Sequence, residues 1–311
     1  MCRSKFFAVL TVLAFGISKI YAQAPTLPPT NLGLANIYDG VAGPPGFVYQ
    51  GYTQLFQTNH INNANGDNTG SPLKINSVLS LQQLIYLSPV KVFGGNLGFT
   101  ALLPIVKISA TSPTGAAPTL NPGAVGDLIV GPAVQWSNKK LFGKAFFHRV
   151  ELDVNLPTGS YSPDYAINAS AHLWAFSVYH AFTLFLTDKF TVSARNQFNF
   201  NSNIIGTPER PGAFYNGNYS AAYAVIKNLQ IEAAGYYLTQ FTEDSFNGDH
   251  SYFQNTYQLT TTKERVFGVG PGVAYFLPKG VMFEAKVFFE TEATNTAQGT
   301  RGVLRIAIPF K

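Results

Sequence analysis

Five histidines, His60, His148, His172, His180 and His250, are the first side chains to test for chemistry. Nucleophilic hydrolysis needs a hydroxyl or thiol beside a base that a third group orients. His250-Ser251, with Asp244 and Asp249 nearby, supplies those residue types, but within an ordinary polar loop composition. His172 and His180 share parity in one expected strand, and His148 is expected on an outward, lipid-side face. No group of His, Cys, Asp and Glu has metal-ligand spacing, so neither a metal nor a cofactor is expected. Gly268-Val269-Gly270-Pro271-Gly272 has the glycine density of a nucleotide loop. No helix follows it, however, and Pro271 sits inside an alternating run, so a strand kink whose glycines make interior room is the better reading.

The charged residues follow a sharper pattern. Arg149, Glu151, Asp153 and Asn155 alternate with Phe146, Val150, Leu152, Val154 and Leu156. Lys189, Arg195, Gln197 and Asn199 alternate in the same way with Phe190, Val192, Ala194, Phe198 and Phe200. Successive side chains of a strand point to opposite faces, so each segment has one apolar and one polar side. Helical spacing would scatter the apolar residues around the axis. Parity adds Gln230, Glu232, Glu284, Lys286, Arg301 and Arg305 to the polar face. On the inner wall of a closed sheet, these charges of both signs could set a transverse field for a solute or brace the wall as ion pairs. Phe146, Phe190, Phe200, Tyr237, Tyr275, Phe283 and Phe310 then read as outward lipid and girdle contacts.

Twelve strands are expected to position these residues, at roughly 46–57, 74–87, 95–108, 126–138, 145–156, 171–186, 189–201, 217–226, 229–241, 265–277, 281–293 and 300–310. Their lengths suit tilted membrane strands. The connections alternate between long (58–73, 109–125, 157–170, 202–216, 242–264) and short (88–94, 139–144, 187–188, 227–228, 278–280), with only the last breaking the order. The short ones carry turn chemistry, as in Thr187-Asp188 and Lys227-Asn228. An up-and-down outer-membrane barrel has this alternation of short periplasmic turns and long outer loops, and a soluble sandwich has no reason to produce it. An even strand count puts both termini in the periplasm.

Composition agrees. Charged residues are 12% of the chain, against roughly 25% in soluble proteins. Aromatic content is high, with 26 Phe, 16 Tyr and 2 Trp. Arg3 and Lys5 precede an apolar run from Phe6 to Ile17, with Ala22 and Ala24 as small-residue cleavage points, so residues 1–22 read as a signal peptide. Cys2 lies ahead of that run, leaving the exported part free of cysteine and of disulfides. Without Arg3, Lys5 and Lys19 the balance is 18 basic to 16 acidic residues, with no basic run, so nucleic acid is not expected as a partner. No apolar stretch is long enough for a spanning helix, and a membrane then admits only a closed barrel. The chain divides into the signal peptide (1–22), an extended Pro-rich leader (23–45) that could lie beneath the barrel or enter it, and the all-β barrel (46–311).

The final strand sets Leu304, Ile306, Ile308 and Phe310 on one face. This terminal pattern resembles the signal read by the barrel-assembly machinery of Gram-negative bacteria, which implies that machinery as a partner during biogenesis. From about Gly126 onward, Gly126-Asp127-Leu128, Leu156-Pro157-Thr158-Gly159-Ser160-Tyr161 and Gly268-Val269-Gly270-Pro271-Gly272 resemble a family of outer-membrane transporters named for the meta pathway of phenol degradation. The resemblance implies a channel for small hydrophobic or aromatic solutes, set among outer-membrane lipid and lipopolysaccharide. Phe214, Tyr215, Phe246, Tyr252 and Phe253, expected on the outer loops, could receive such a solute or pack as a lid. The alternatives are a non-conducting barrel whose loops bind an external partner, or an outer-membrane hydrolase. No histidine stands two residues before a serine, as in the outer-membrane phospholipase, so a non-enzyme is expected.

Overall fold

Period-two alternation closes on itself in the computed structural model, which describes residues 25–28, 30–115 and 117–310. The expected signal peptide, Cys2 and its cleavage points lie outside the described residues. Twelve strands form the wall: β1 (Gly46–Ile61), β2 (Lys74–Val92), β3 (Gly95–Thr111), β4 (Leu128–Leu141), β5 (Lys144–Leu156), β6 (Ala175–Phe185), β7 (Phe190–Asn201), β9 (Phe214–Ile226), β10 (Leu229–Gln240), β12 (Arg265–Phe276), β13 (Met282–Thr294) and β14 (Ala297–Phe310). Each pairs antiparallel with its neighbours, and β1 pairs β14 from Phe47↔Phe310 to Ile61↔Ala297, so no edge remains. Closure satisfies the backbone of every spanning strand within the wall, as a hydrocarbon surround demands. Two loops pair separately through β8 (Glu209–Arg210) and β11 (Ser245–Phe246), beside a short helix α1 (Tyr252–Tyr257).

The segment expected at 171–186 starts only at Ala175. His172 lies before it in left-handed backbone, stacked on Tyr161 with ring centroids 4.1 Å apart, and thus does not share a strand with His180. Tertiary pinning overrides local pattern here: Ala171 N–H donates to Asp127 and Ile205 N–H donates to the His172 carbonyl.

Outward positions carry exposed Leu152, Phe198, Phe200, Ile231, Tyr275, Phe283, Leu304 and Phe310. A soluble protein rarely exposes so continuous an apolar belt, whereas lipid requires one. The interior is largely polar, with buried Gln135, Glu151, Asn199, Asn218, Glu232, Glu284 and Lys286. In β12 the inward glycines make room: a Cβ on Gly268 would lie 2.3 Å from the Tyr236 ring, and one on Gly272 would lie 2.6 Å from Glu232.

The wall is thinnest between β3 and β4, which pair only from Asn96↔Gln135 to Leu102↔Ile129. Beyond that, loop backbone replaces the strand: Gly126 N–H donates to Pro104, Val106 N–H to Ala124 and Ser160 N–H to Val125. Asp127 holds the patch together. Its buried carboxylate accepts Gly159 N–H at 2.9 Å, Ser170 Oγ at 2.6 Å and Ala171 N–H at 3.0 Å. The Gly126-Asp127-Leu128 and Leu156–Tyr161 sequences are therefore two sides of one clasp. Asp127→Ala strands three donors and is expected to destabilise the barrel by about 2–4 kcal/mol, since bonds to charged acceptors are worth about 1.5–3 kcal/mol each and partial rehydration returns some of that. The urea midpoint of the refolded protein, read by gel mobility without boiling, measures the loss. An unchanged midpoint would mean the clasp holds only the loops.

Candidate functional site in the barrel lumen

The leader fills the lumen. Leu27 packs on the apolar cluster that includes Tyr236, Leu238 and Val266 and gives its backbone N–H to Glu264 at the long-loop end. The chain then descends through Asn36, buried at mid-depth, to Gly40 before entering β1 at the short-turn end. Even strand number places Gly46 and Phe310 at one end, but the first described leader residues lie at the other. The leader therefore threads the barrel rather than lying beneath it.

A chain in this position has no sheet partners, so its backbone polar groups must find side chains. The wall supplies them one after another. Gln54 donates to Leu32 O, Gly33 N–H donates to Asn218, and Lys286 donates to Leu34 O at 3.1 Å. Tyr38 N–H reaches Ser193, Gly40 N–H reaches Thr183, and Gly40 O accepts from Gln135. Asn36 donates its amide to Tyr219 O and Gly235 O while its oxygen accepts from Lys286 at 2.9 Å. Gly40 lies so close to β6 that a Cβ there would stand 2.3 Å from Thr183 N.

Three charged clusters grip or flank this thread. Asp39 lies between Arg195, whose Nε donates to it at 2.6 Å, and Arg149 at 3.4 Å. Arg149 also pairs Glu151 at 2.8 Å, and Tyr179 donates to the same carboxylate while the Arg195 guanidinium stacks 4.2 Å from its ring centroid. Glu284 lies between Lys286 at 2.9 Å and Arg305 at 3.3 Å, with Arg305 also donating to Gln50. Arg301 joins Glu290 at 3.0 Å, Gln54 at 2.8 Å and Tyr236. A cleft of about 100 Å³ remains between leader and wall. Leu79, Leu81, Leu102, Pro104 and Ile129 of β2–β4 line one stretch of it, Asp153, Asn155, Ser177, Arg195, Gln197 and Asn199 of β5–β7 line the next, and Phe214 lies beside Asn199.

Of the residues picked out by parity, the structure gathers Arg149, Glu151 and Arg195 around Asp39, and Glu284, Lys286 and Arg305 around Ile37 and Asn36. Gln230 reaches Tyr38, and Glu232 accepts from Ser220 at 2.6 Å. Lys189 departs from the set: it is exposed in the Thr187–Phe190 turn, below the lumen. The expected loop aromatics separate as well. Phe214 is an inward, buried strand residue, because β9 starts three residues before the expected 217. Tyr215 points outward and bonds Asn196 and Tyr219. Phe246, Tyr252 and Phe253 do share a loop, where Phe246 stacks on Tyr252 at 4.2 Å and Phe253 is buried. They pack on one another, which exposes little aromatic face. His250 turns to Glu243 O and Arg210, and Ser251 donates to Asp249, so the loop triplet does not form a Ser–His pair.

Sequence reasoning missed Asp39, Tyr179, Tyr236 and Glu290. The last two share parity with residues already chosen on their strands and were open to the same count; Asp39 had no local signal.

The long-loop rim carries a second acidic feature. Asp244 accepts Gly212 N–H at 2.7 Å and a Gln240 amide proton, and burial pushes its carboxyl up to about 6. Burial, then the neighbouring Asp244 charge, pushes Glu264 up to about 7, where it accepts the Leu27 backbone N–H. Both folded values exceed the unfolded ones, so their contribution to stability is complete below about pH 4 and is lost as pH rises through 6 and 7. Hydrogen exchange across 241–264 is therefore expected to be slower, after correction for intrinsic rates, at pH 5 than at pH 8. Glu264→Gln should flatten most of that difference. Equal protection at both pH values in the unaltered protein would refute the linkage.

Polar lumen, apolar belt, closed antiparallel wall and alternating connections define a β-barrel of the outer-membrane type. Residues 58–306 match the family described as "Putative MetA-pathway of phenol degradation", and the chain belongs to that family. The fold resembles an outer membrane channel from Pseudomonas putida F1, with TM-score 0.72 and 17% identity over 89% of this chain and 100% of that one. The transport unit of the autotransporter AIDA-I from Escherichia coli gives TM-score 0.49 and 10% identity over 89% and 93%. No curated protein sequence matches the chain.

Proposed function

We propose that the protein is an outer-membrane channel for small hydrophobic or aromatic solutes, with the leader as its gate. The short-turn end faces the periplasm and the long loops face the lipopolysaccharide layer. Assembly runs through the machinery that reads the closing strand β14. The observation that carries this reading is the cleft beside the leader, lined from β2–β4 by leucines, Pro104 and Ile129 and from β5–β7 by amides, a hydroxyl and the charged Asp153 and Arg195. That lining suits a ring or short chain bearing one polar group. At about 100 Å³ it is smaller than the roughly 150 Å³ that holds benzene in a protein interior, so passage requires the leader to shift. The similar Pseudomonas barrel is a channel by its own description, which agrees with this reading. Its alternative, a non-conducting barrel with binding loops, draws on the filled lumen, but the self-packed loop aromatics offer a partner little surface.

Entry of a charged benzoate-type compound and of a sugar of similar size into liposomes carrying the refolded protein tests the proposal, with protein-free vesicles as baseline. Benzoate entry above baseline and above the sugar is the expected result. Absence of both, from protein that is β-rich and migrates faster unboiled, would overturn it in favour of the loop-binding reading.

A further inference from the structure

His148 and His180 stand on the outside of the barrel, away from the lumen. They share the outward parity of Val150, Leu152, Phe176 and Val178, all of which are exposed. The two rings come from adjacent strands and meet diagonally: His148 pairs Phe182, and His180 pairs Val150. His148 Nδ1 and His180 Nε2 lie 3.4 Å apart, at the outer limit for a hydrogen bond. The remaining nitrogen of each ring has no hydrogen-bond partner among the described residues.

That distance has a second meaning. Two imidazole nitrogens on one tetrahedral zinc, each at about 2.0–2.1 Å, are separated by roughly 3.3–3.4 Å. The pair is also held in place. Trp136 stacks on the His148 ring at 4.8 Å and 8°, Phe146 packs on it at 4.9 Å and 24°, and the indole N–H is fixed on Phe93 O. Ligands that need no rearrangement bind a metal at lower entropic cost. Lys139, Lys140 and Lys144, exposed at the adjoining turn, mark the aqueous headgroup level just beyond Phe146, so an ion reaches the site without crossing hydrocarbon. Two positive groups oppose a cation. The Arg149 charge is compensated by Glu151 and Asp39, and Lys139 is exposed and solvated. No group of three or more His, Cys, Asp and Glu among the described residues could hold a metal, so this would be a two-ligand site completed by water.

We propose that His148 and His180 form a bidentate site for a borderline divalent transition metal such as Zn²⁺, clipping β5 to β6 on the outer wall near the short-turn rim. Imidazole pairs select this class over Mg²⁺ and Ca²⁺, which require oxygen. Because the unfolded chain separates the two rings, the ion also stabilises the barrel.

The test uses the mature barrel, free of any purification tag, refolded in zwitterionic micelles and titrated with Zn²⁺ against a chromogenic chelator. One ion per barrel is expected. His148→Ala and His180→Ala should each weaken binding on the order of a hundredfold, since either one removes the chelate advantage. The double substitution should add little, and His250→Ala should change nothing. Zn²⁺ should raise the unfolding temperature of the unaltered protein and not of His180→Ala. All variants are surface changes, and unboiled mobility checks that each barrel has folded. Binding that survives both single substitutions, or no bound ion in the unaltered protein, overturns the site.

Discussion

Asp39→Ala is expected to raise single-channel conductance in planar bilayers many-fold over the unaltered protein. Asp39 is the leader's only anion, and it is buried between two guanidiniums, at 2.6 Å from Arg195 and 3.4 Å from Arg149. Removing one partner of a buried pair costs about 3–5 kcal/mol, chiefly because a charge is left without compensation. Here the cost falls on one state. With the leader in place, Arg195 loses its carboxylate and remains buried; with the leader displaced, water enters the lumen and solvates it. About 3 kcal/mol on that equilibrium moves the open population by about two powers of ten. Asp39→Asn keeps an acceptor for one guanidinium and should fall between the two. The wall's hydrogen bonding does not pass through Asp39, so the variant should still fold and run faster unboiled. Conductance of Asp39→Ala equal to that of the unaltered protein would show that the leader is a fixed part of the wall and no gate.

The features that made the barrel legible are those set by local geometry. Side-chain period two, turn residues and loop length are all properties of adjacent residues, and they located twelve strands and the inward set around Arg149, Arg195, Glu284 and Arg305. Long-range threading was not legible. The leader's course depends on Asn218, Lys286, Ser193 and Gln135, which come from four different strands and converge only after closure. Asp39 therefore read as one carboxylate in a Pro-rich segment, although it is the residue on which two arginines meet. Lys189 shows the converse limit: its parity is right, but the wall ends before reaching it. The sequence places Phe214 in the long loop 202–216 because Asn216 and Gly217 interrupt the apolar alternation there, yet Asn216 and Asn218 are buried lumen residues that bind the leader at Asn31, and the strand runs back to Phe214. His148 and His180 meet because β5 and β6 pair in one register, and a shift of one residue would turn one ring inward.

Lys286→Met should be the most damaging single change to the wall, costing about 3–5 kcal/mol of unfolding free energy. The Lys286 side chain is fully buried, and its ammonium lies on Glu284 at 2.9 Å, Leu34 O at 3.1 Å and Asn36 at 2.9 Å. Without it, Arg305 at 3.3 Å is the one cation left bonded to Glu284, and the neighbouring Glu232 side chain, already holding one buried oxygen without a hydrogen-bond partner, loses a nearby cation. Methionine fills the space, so packing is conserved and the cost reports charge. Adding Glu284→Gln removes the orphaned anion and should restore a good part of the loss, because deleting both members of a buried pair is far cheaper than deleting one. The urea midpoints of the four proteins form a double-mutant cycle, with a coupling of at least about 1 kcal/mol expected between contacting charges. A Lys286→Met midpoint within error of the unaltered protein, or additive effects in the cycle, would mean that water reaches this cluster and screens it. The leader would then be held at Leu34 and Asn36 by shape alone. A positive coupling instead makes the ammonium the second fastening of the leader, acting from β13 while Arg149 and Arg195 act from β5 and β7, so that displacement of the thread must break contacts on both sides of the lumen at once.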